Sequence, residues 1–388
     1  MAELTANRNA LDLLGQLVAF DTTSRLSNLA LIDFIEAHLT GQGARCERTL
    51  DLTGQKANLH AVLGPDADGG VVLSGHTDVV PVDGQDWSSD PFSMIERDGR
   101  LYGRGTCDMK GFIACALTAA RDFAAADLKK PVHFAFSYDE EVGCLGAPAM
   151  IERMMSVRPK PALAIIGEPT EMKVVTGHKG LYSLRVDVTG HEAHSSRIHD
   201  GACAVTNMVP LLAFLHAKAD AWEKAAPADS PFDPPFGTIT VGQLGGGTAS
   251  NILAREAWFE TLMRPAPWDD ARAAADDLRA LAQKLEADMK RHAPDASIHV
   301  ETRSDAPALA PENDGEAERL ARSLTGDNAT HFVSFGTEAG QFQSAGLSVV
   351  VCGPGSIAQA HKPDEFIAIS EMEACMDFMD RLTHHLTR

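Results

Sequence analysis

The sequence is poor in aromatic residues. Only 6% of its 388 positions are Phe, Trp or Tyr, too few for the stacking platform on which single-stranded nucleic acid is held. Positive charge is also scarce: 34 Lys and Arg stand against 54 Asp and Glu, a formal net charge of -20. Such a surface repels phosphate backbones and anionic membranes, so neither nucleic acid nor a membrane is an expected partner. No apolar run approaches the ~20 residues of a membrane span. The N-terminus lacks a basic stretch followed by a long apolar one, so no signal peptide is expected. Seven cysteines are scattered with no C-x-x-C pair, which fits a reducing compartment and a cytoplasmic protein. Three signatures are missing as well. Without G-x-x-x-x-G-K-[ST], G-x-G-x-x-G or G-x-S-x-G there is no support for a phosphate-binding loop, a dinucleotide site or a serine nucleophile.

What is present is an ordinary globular composition, 44% hydrophobic and 23% charged. Single cores rarely grow past ~250–300 residues, so two domains are expected. The first half alternates helical periodicity (8–20, 28–42, 109–126) with short apolar runs (71–73, 132–137, 162–166). That alternation predicts an α/β layer on a largely parallel sheet. The character changes near Gly180. From there the order is strand, helix, strand, strand, helix, strand, ending with SIHVETR, which is the ferredoxin-like α+β pattern. Residues after ~304 return to helix and buried strand, with SVVVC at 348–352 the clearest. The expected layout is a discontinuous α/β domain, 1–180 and 304–388, carrying an α+β insert at 181–303.

Acids and histidines sit where these strands end. His76 and Asp78 follow the first strand, Asp139, Glu140 and Glu141 the second, and Glu168 the third. In open α/β sheets ligands bind outside the carboxyl ends of the strands. Crowded carboxylates raise one another's pKa unless a cation compensates them. Mixed His and carboxylate ligands suit Zn²⁺, Co²⁺ or Mn²⁺ better than Ca²⁺. His76 in GHTDVVP reads as a ligand, with Asp78 orienting its imidazole. The others stay open when taken singly. Asp108 in GRGTCDMKG could be no more than an N-cap, although Gly103 and Gly105 let the backbone approach something closely. Glu140 and Glu141 read either as a solvated pair or as base and ligand. Glu168 could be a turn residue, His361 a surface histidine, and Cys107 no more than a neighbour of Asp108.

The ordered set GHTDVVP, GRGTCDMKG, DEEVG, GEPT, GHEAHSS and AHKPDE resembles the M20 metallopeptidase family over nearly the whole chain. GEPT, HKG at 178–180 and GPGSIAQAHKPDEF narrow the resemblance to its amino-acid deacetylases. The resemblance implies a zinc-peptidase-like three-layer catalytic domain with an inserted ferredoxin-like dimerisation domain. It implies two divalent metal ions, Zn²⁺ with Co²⁺ able to substitute. Asp108 would bridge them, His76 and Glu168 completing one and Glu141 and His361 the other. Glu140 would be the general base and Asp78 the support of His76. His194, in the insert, would reach a partner subunit's site and stabilise the oxyanion. Asn251 and Arg264 match positions that hold a substrate carboxylate, while Gly336 and Glu338 lie in a loop lining the site. The implied activity is removal of an acyl group from the α-nitrogen of a small amino acid by a homodimer. Dipeptidase and aminoacylase chemistry on the same scaffold, or a non-catalytic binding protein, are the alternatives.

Overall fold

The computed structural model describes residues 2–388. In chain order the elements begin with α1 (Ala2–Val18), α2 (Leu29–Gly41), β1 (Arg45–Leu50), β2 (Ala57–Leu63), β3 (Gly70–His76), β4 (Ile95–Arg97) and β5 (Arg100–Tyr102). Next are α3 (Gly111–Ala125), β6 (Val132–Ser137), α4 (Ala147–Ser156), β7 (Pro161–Ile166), β8 (Val175–His178) and β9 (Leu181–Thr189). Then come α5 (Ala204–Ala225), β10 (Thr238–Gly246), β11 (Glu256–Arg264), α6 (Ala271–Met289) and β12 (Ser297–Ala306). The chain closes with α7 (Glu316–Thr325), β13 (His331–Val333), α8 (Ala339–Ser344), β14 (Ser348–Val351), β15 (Phe366–Ala368) and α9 (Ile369–Leu386).

Two compact units result: 1–177 with 309–332 and 337–388, and 178–308 with 333–336. The first is built on an eight-stranded sheet, β1-β2-β6-β3-β7-β14-β8-β13. Strands β2, β3 and β6 are buried at every residue, the mark of a sheet covered on both faces. The sheet is mixed rather than largely parallel. β3 runs parallel to β6 and β7, and β7 to β14. β1, β2 and β8 are added antiparallel. The sequence of β2 (ANLHAVL) carries no mark of direction, so the antiparallel flank is invisible to periodicity. Amphipathic helices supply the covering layers. In α9, Met372, Cys375, Met379, Leu382 and Leu386 recur at helical spacing and are buried. In α7, Ala317, Leu320, Ala321 and Leu324 do the same.

The second unit is the four-stranded antiparallel sheet β10-β11-β9-β12 with α5 and α6. Residues of β9 alternate buried and half-buried, Leu184, Val186 and Val188 facing the core. Phe259, Met263, Leu211, Ala275 and Leu278 complete that core. Helix α6 begins on Asp270, whose carboxylate accepts from the Ala273 N–H at 2.8 Å, an N-cap. Among the described residues no helix is long and apolar enough to cross a membrane.

Candidate metal centre

Three neighbouring strands deliver the ligands. In the pairing register His76 lies opposite Ser137 and Ser74 opposite Ile166, so β6 and β3 end together, and β7 ends two residues earlier with Glu168 two residues beyond it. Asp108 arrives from the turn ahead of α3. The helix expected from Met109 starts only at Gly111, because Asp108 and Met109 have non-helical dihedrals, Asp108 at φ -120°, ψ 93°. Gly105, at φ +80°, makes the approach possible, since a Cβ there would stand 2.8 Å from a Val79 methyl.

Two groups of side chains are close enough to hold a cation: His76, Asp108 and Glu168, and Asp108, Glu141 and His361, each with donor atoms within 4.8 Å of one another. Asp108 belongs to both. Its Oδ1 lies 2.9 Å from His76 Nε2 and its Oδ2 3.3 Å from His361 Nε2. His361 Nε2 also lies 2.9 Å from Glu141, and His76 Nε2 3.8 Å from Glu168. Nδ1 of His76 sits 2.9 Å from the Asp78 carbonyl, which can only accept. One ring proton is therefore on Nδ1, and Nε2, which faces Asp108, is the nitrogen that would ligate a metal once its own proton is displaced. Asp78 thus contacts the His76 ring through its carbonyl, and its carboxylate makes further contacts. The carboxylate is 3.7 Å from the imidazole and accepts from Ser24 Oγ at 2.7 Å and from the main-chain N–H of Glu140 and Glu141 at 3.1 and 3.3 Å. It thereby fixes the acid pair.

His76, Asp108 and Glu168 are buried, whereas the His361 side chain is 55% exposed and marks the open side. His361 is held at φ +62°, a conformation costing a non-glycine residue about 1 kcal/mol. Gln85 Nε2 donates to its carbonyl at 3.0 Å, and Ser88 donates to Asp364 at 2.9 Å, which stitches this loop to the 85–88 segment.

The electrostatics fit a cation. Burial, then the Asp108 charge, pushes Glu141 up to about 7. Burial likewise lifts Glu140 and Glu168 well above the carboxylate range. For His76 burial opposes charging, yet the bond to Asp108 and the nearby acids raise it well above 6.5. Bonds to Asp108 and Glu141 push His361 up to about 10. Protein atoms alone thus balance this cluster only by taking up protons. Divalent ions would replace those protons, and the imidazole-carboxylate donor set suits Zn²⁺, Co²⁺ or Mn²⁺.

Glu140 belongs to neither ligand group. Its Oε1 accepts from Cys144 Sγ at 3.3 Å. Glu338 is buried too, and burial first of all pushes it up to about 7. Its charge acts on Glu140, and its Oε1 has no hydrogen-bond partner. The remaining expected residues lie in the second unit. His194 Nδ1 accepts from the Ser196 N–H at 3.2 Å. The Asn251 carbonyl accepts from Ser195 N at 3.0 Å, Arg264 pairs with Thr238 across β10 and β11, and Gly336 lies beside the Lys179 carbonyl. Sequence reasoning missed Ser24, Cys144 and Glu365. Only Glu365, an acid four residues after His361 between Asp364 and Phe366, carried a local hint.

A buried carboxylate turning one oxygen to each of two imidazole-carboxylate groups, beside an acid outside both, is the donor set of a metal-dependent hydrolase. Residues 72–385 match the model of peptidase family M20/M25/M40. The chain is 38% identical over 377 residues to an acetylornithine deacetylase of Myxococcus xanthus, covering 96% of each. In fold it is similar to an M20 family metallo-carboxypeptidase of Sulfolobus solfataricus, with a TM-score of 0.75, 16% identity, and coverage of 96% of this chain and 98% of that one. It is also similar to the Bacillus subtilis YXEP protein, a dinuclear metal binding peptidase, with a TM-score of 0.65, 15% identity, and coverage of 98% and 99%. The chain belongs to peptidase family M20/M25/M40 and is a metal-dependent amide hydrolase.

Proposed function

We propose that this enzyme removes the acetyl group from N2-acetyl-L-ornithine, giving L-ornithine and acetate and serving arginine biosynthesis in the cytoplasm. The observation that carries the chemistry is Asp108 shared between two ligand groups with Glu140 left outside them. The substrate rests on the Myxococcus relative, matched over 96% of both sequences.

His76, Asp108 and Glu168 would hold one Zn²⁺ and Asp108, Glu141 and His361 the other, Co²⁺ being able to replace either. Bound there, the two ions would supply Lewis-acid polarisation of the acyl carbonyl and would make a water easier to deprotonate. Glu140 takes the proton of the attacking water, whose oxygen bonds to the acyl carbon. The same carboxyl then gives that proton to the amide nitrogen as the C–N bond breaks. The Asp78 contact to its main-chain N–H fixes it in place.

His194 is assigned to the tetrahedral oxyanion, donated into the site of a partner subunit of a homodimer. Because its Nδ1 accepts from Ser196, the neutral ring carries its proton on Nε2, the donor an oxyanion requires. The edge strand β10, with Leu244 exposed, is consistent with a partner for this unit. Asn251 and Arg264 are assigned to the substrate carboxylate, and Gly336 and Glu338 to the lining of the site.

The test is turnover of Nα-acetyl-L-ornithine, Nα-acetyl-L-citrulline and N-succinyl-diaminopimelate by the zinc- or cobalt-loaded enzyme. Preference for acetylornithine supports the reading. Turnover of another substrate alone keeps the chemistry and replaces the substrate, while hydrolysis of none removes the assignment.

A further inference from the structure

The turn carrying Asp108 has a hydrogen-bonding problem. Gly105, Cys107 and Asp108 precede α3, so their N–H groups have no helical carbonyl one turn back to donate to. A single carboxylate answers all three. Glu365 Oε1 accepts from Cys107 N at 2.9 Å and from Asp108 N at 3.1 Å. Its Oε2 accepts from Gly105 N at 3.0 Å and from Arg104 Nη1 at 2.7 Å. Glu365 and Arg104 are each only 1% exposed. Four donors fill the acceptor capacity of a carboxylate. The Gly103 N–H also donates to the Glu365 carbonyl at 3.0 Å. Arg104 continues the chain of contacts. Its Nη2 donates to Gln85 at 2.5 Å, and Gln85 donates to the His361 carbonyl. One buried acid thus ties the main chain of Asp108 to the loop that presents His361.

Neutralising Arg104 would explain a charge pair, but not three main-chain donors converging on the same carboxylate. We propose that Glu365 is a positioning residue for the ion pair: it sets the Asp108 main chain so that Oδ1 faces the His76 group and Oδ2 the His361 group. This rests on the two-ion reading above. Partners of this kind around a metal are typically worth roughly 10–100-fold in affinity.

The variant is Glu365→Gln, which keeps the volume but turns an NH₂ group toward two of the four donors. Metal-stripped protein is titrated with Co²⁺ alone, following the ligand-field absorption and counting retained ions. Wild type should take up two. Glu365→Gln, with wild-type circular dichroism, should bind at least one of them roughly 10–100-fold more weakly, with a changed absorption spectrum. Should that variant fail to fold, Glu365→Asp decides in its place, because it keeps the charge facing Arg104 while its shorter arm withdraws from Cys107 and Asp108. A folded variant that binds both ions with wild-type affinity and spectrum overturns the proposal. Because substrate is absent, an error in the substrate assignment leaves this result untouched. Wild type binding fewer than two ions would instead sink the two-ion reading and this proposal with it.

Discussion

At the scale of single residues, the proposed mechanism divides the chemistry between Asp108 and Glu140. Asp108 spends both oxygens on the two ligand groups, and Glu140 touches neither imidazole but accepts from Cys144. Glu140→Gln should therefore keep both ions while kcat falls about 10²–10⁴-fold, the usual contribution of a positioned general base. Metal analysis beside steady-state kinetics checks this, and a variant with near wild-type turnover removes the role. A second residue-scale effect lies away from the site. His60 and His133, on β2 and β6, stack at 5.3 Å with Nε2 and Nδ1 3.0 Å apart. Burial holds His60 down to about 4. Burial, then the neighbouring His60, holds His133 down to about 3. Both are neutral in the fold but titrate near 6.5 when unfolded. Stability is then full above about pH 6.5 and is lost as pH falls toward 4. Replacing His133 by Gln should lower the slope of stability on pH in that window by about one proton, ~1.4 kcal/mol per pH unit. Denaturant melts at pH 7.0, 6.0 and 5.0 read the slope, and identical slopes would contradict the argument.

At the scale of elements, the site depends on the neighbouring ends of β6, β3 and β7. Behind Glu168 the backbones of β7 and the segment after β14 are in close contact. A Cβ on Gly353 would stand 2.0 Å from the Gly167 carbonyl and 2.7 Å from that of Glu168. Gly353→Ala should cost about 1–3 kcal/mol, as overpacking does, and should also weaken ion retention by displacing Glu168. Thermal melting with metal counting decides; wild-type values for both would show that the contact is slack. Much of this scale was legible in the sequence. Apolar runs followed at once by GHTD, DEEVG and GEPT place acids at strand ends, and alternation in LYSLRVDV marks a half-buried strand. What stayed hidden depends on pairing between distant segments. β2 reads as buried but not as antiparallel. The Asp78 carboxylate meets residues 62 and 63 positions away, and Glu365 meets Asp108 across 257. No periodicity encodes such partners.

At the scale of the whole molecule, Glu140, the proposed general base, and His194 fall in different compact units, and the proposed oxyanion donor serves a partner subunit. Two inactive variants should then complement each other. Mixing Glu140→Gln with His194→Ala under subunit exchange gives heterodimers in which one of two sites has both groups, so roughly a quarter of wild-type activity should return in a two-fold dimer. No recovery, with exchange shown to occur, would place His194 in its own subunit's site or outside catalysis. The -20 charge acts at this scale too, favouring solubility and leaving substrate choice to local groups.

The most direct measurement is reconstitution of activity from metal-free protein. Chelator-treated enzyme is given Co²⁺ in steps while acetylornithine hydrolysis and bound ions are followed together. The paired site predicts no hydrolysis without metal and recovery that is complete when two ions are bound per chain. Hydrolysis that survives verified removal of metal, or that never returns although two ions are bound, would contradict it.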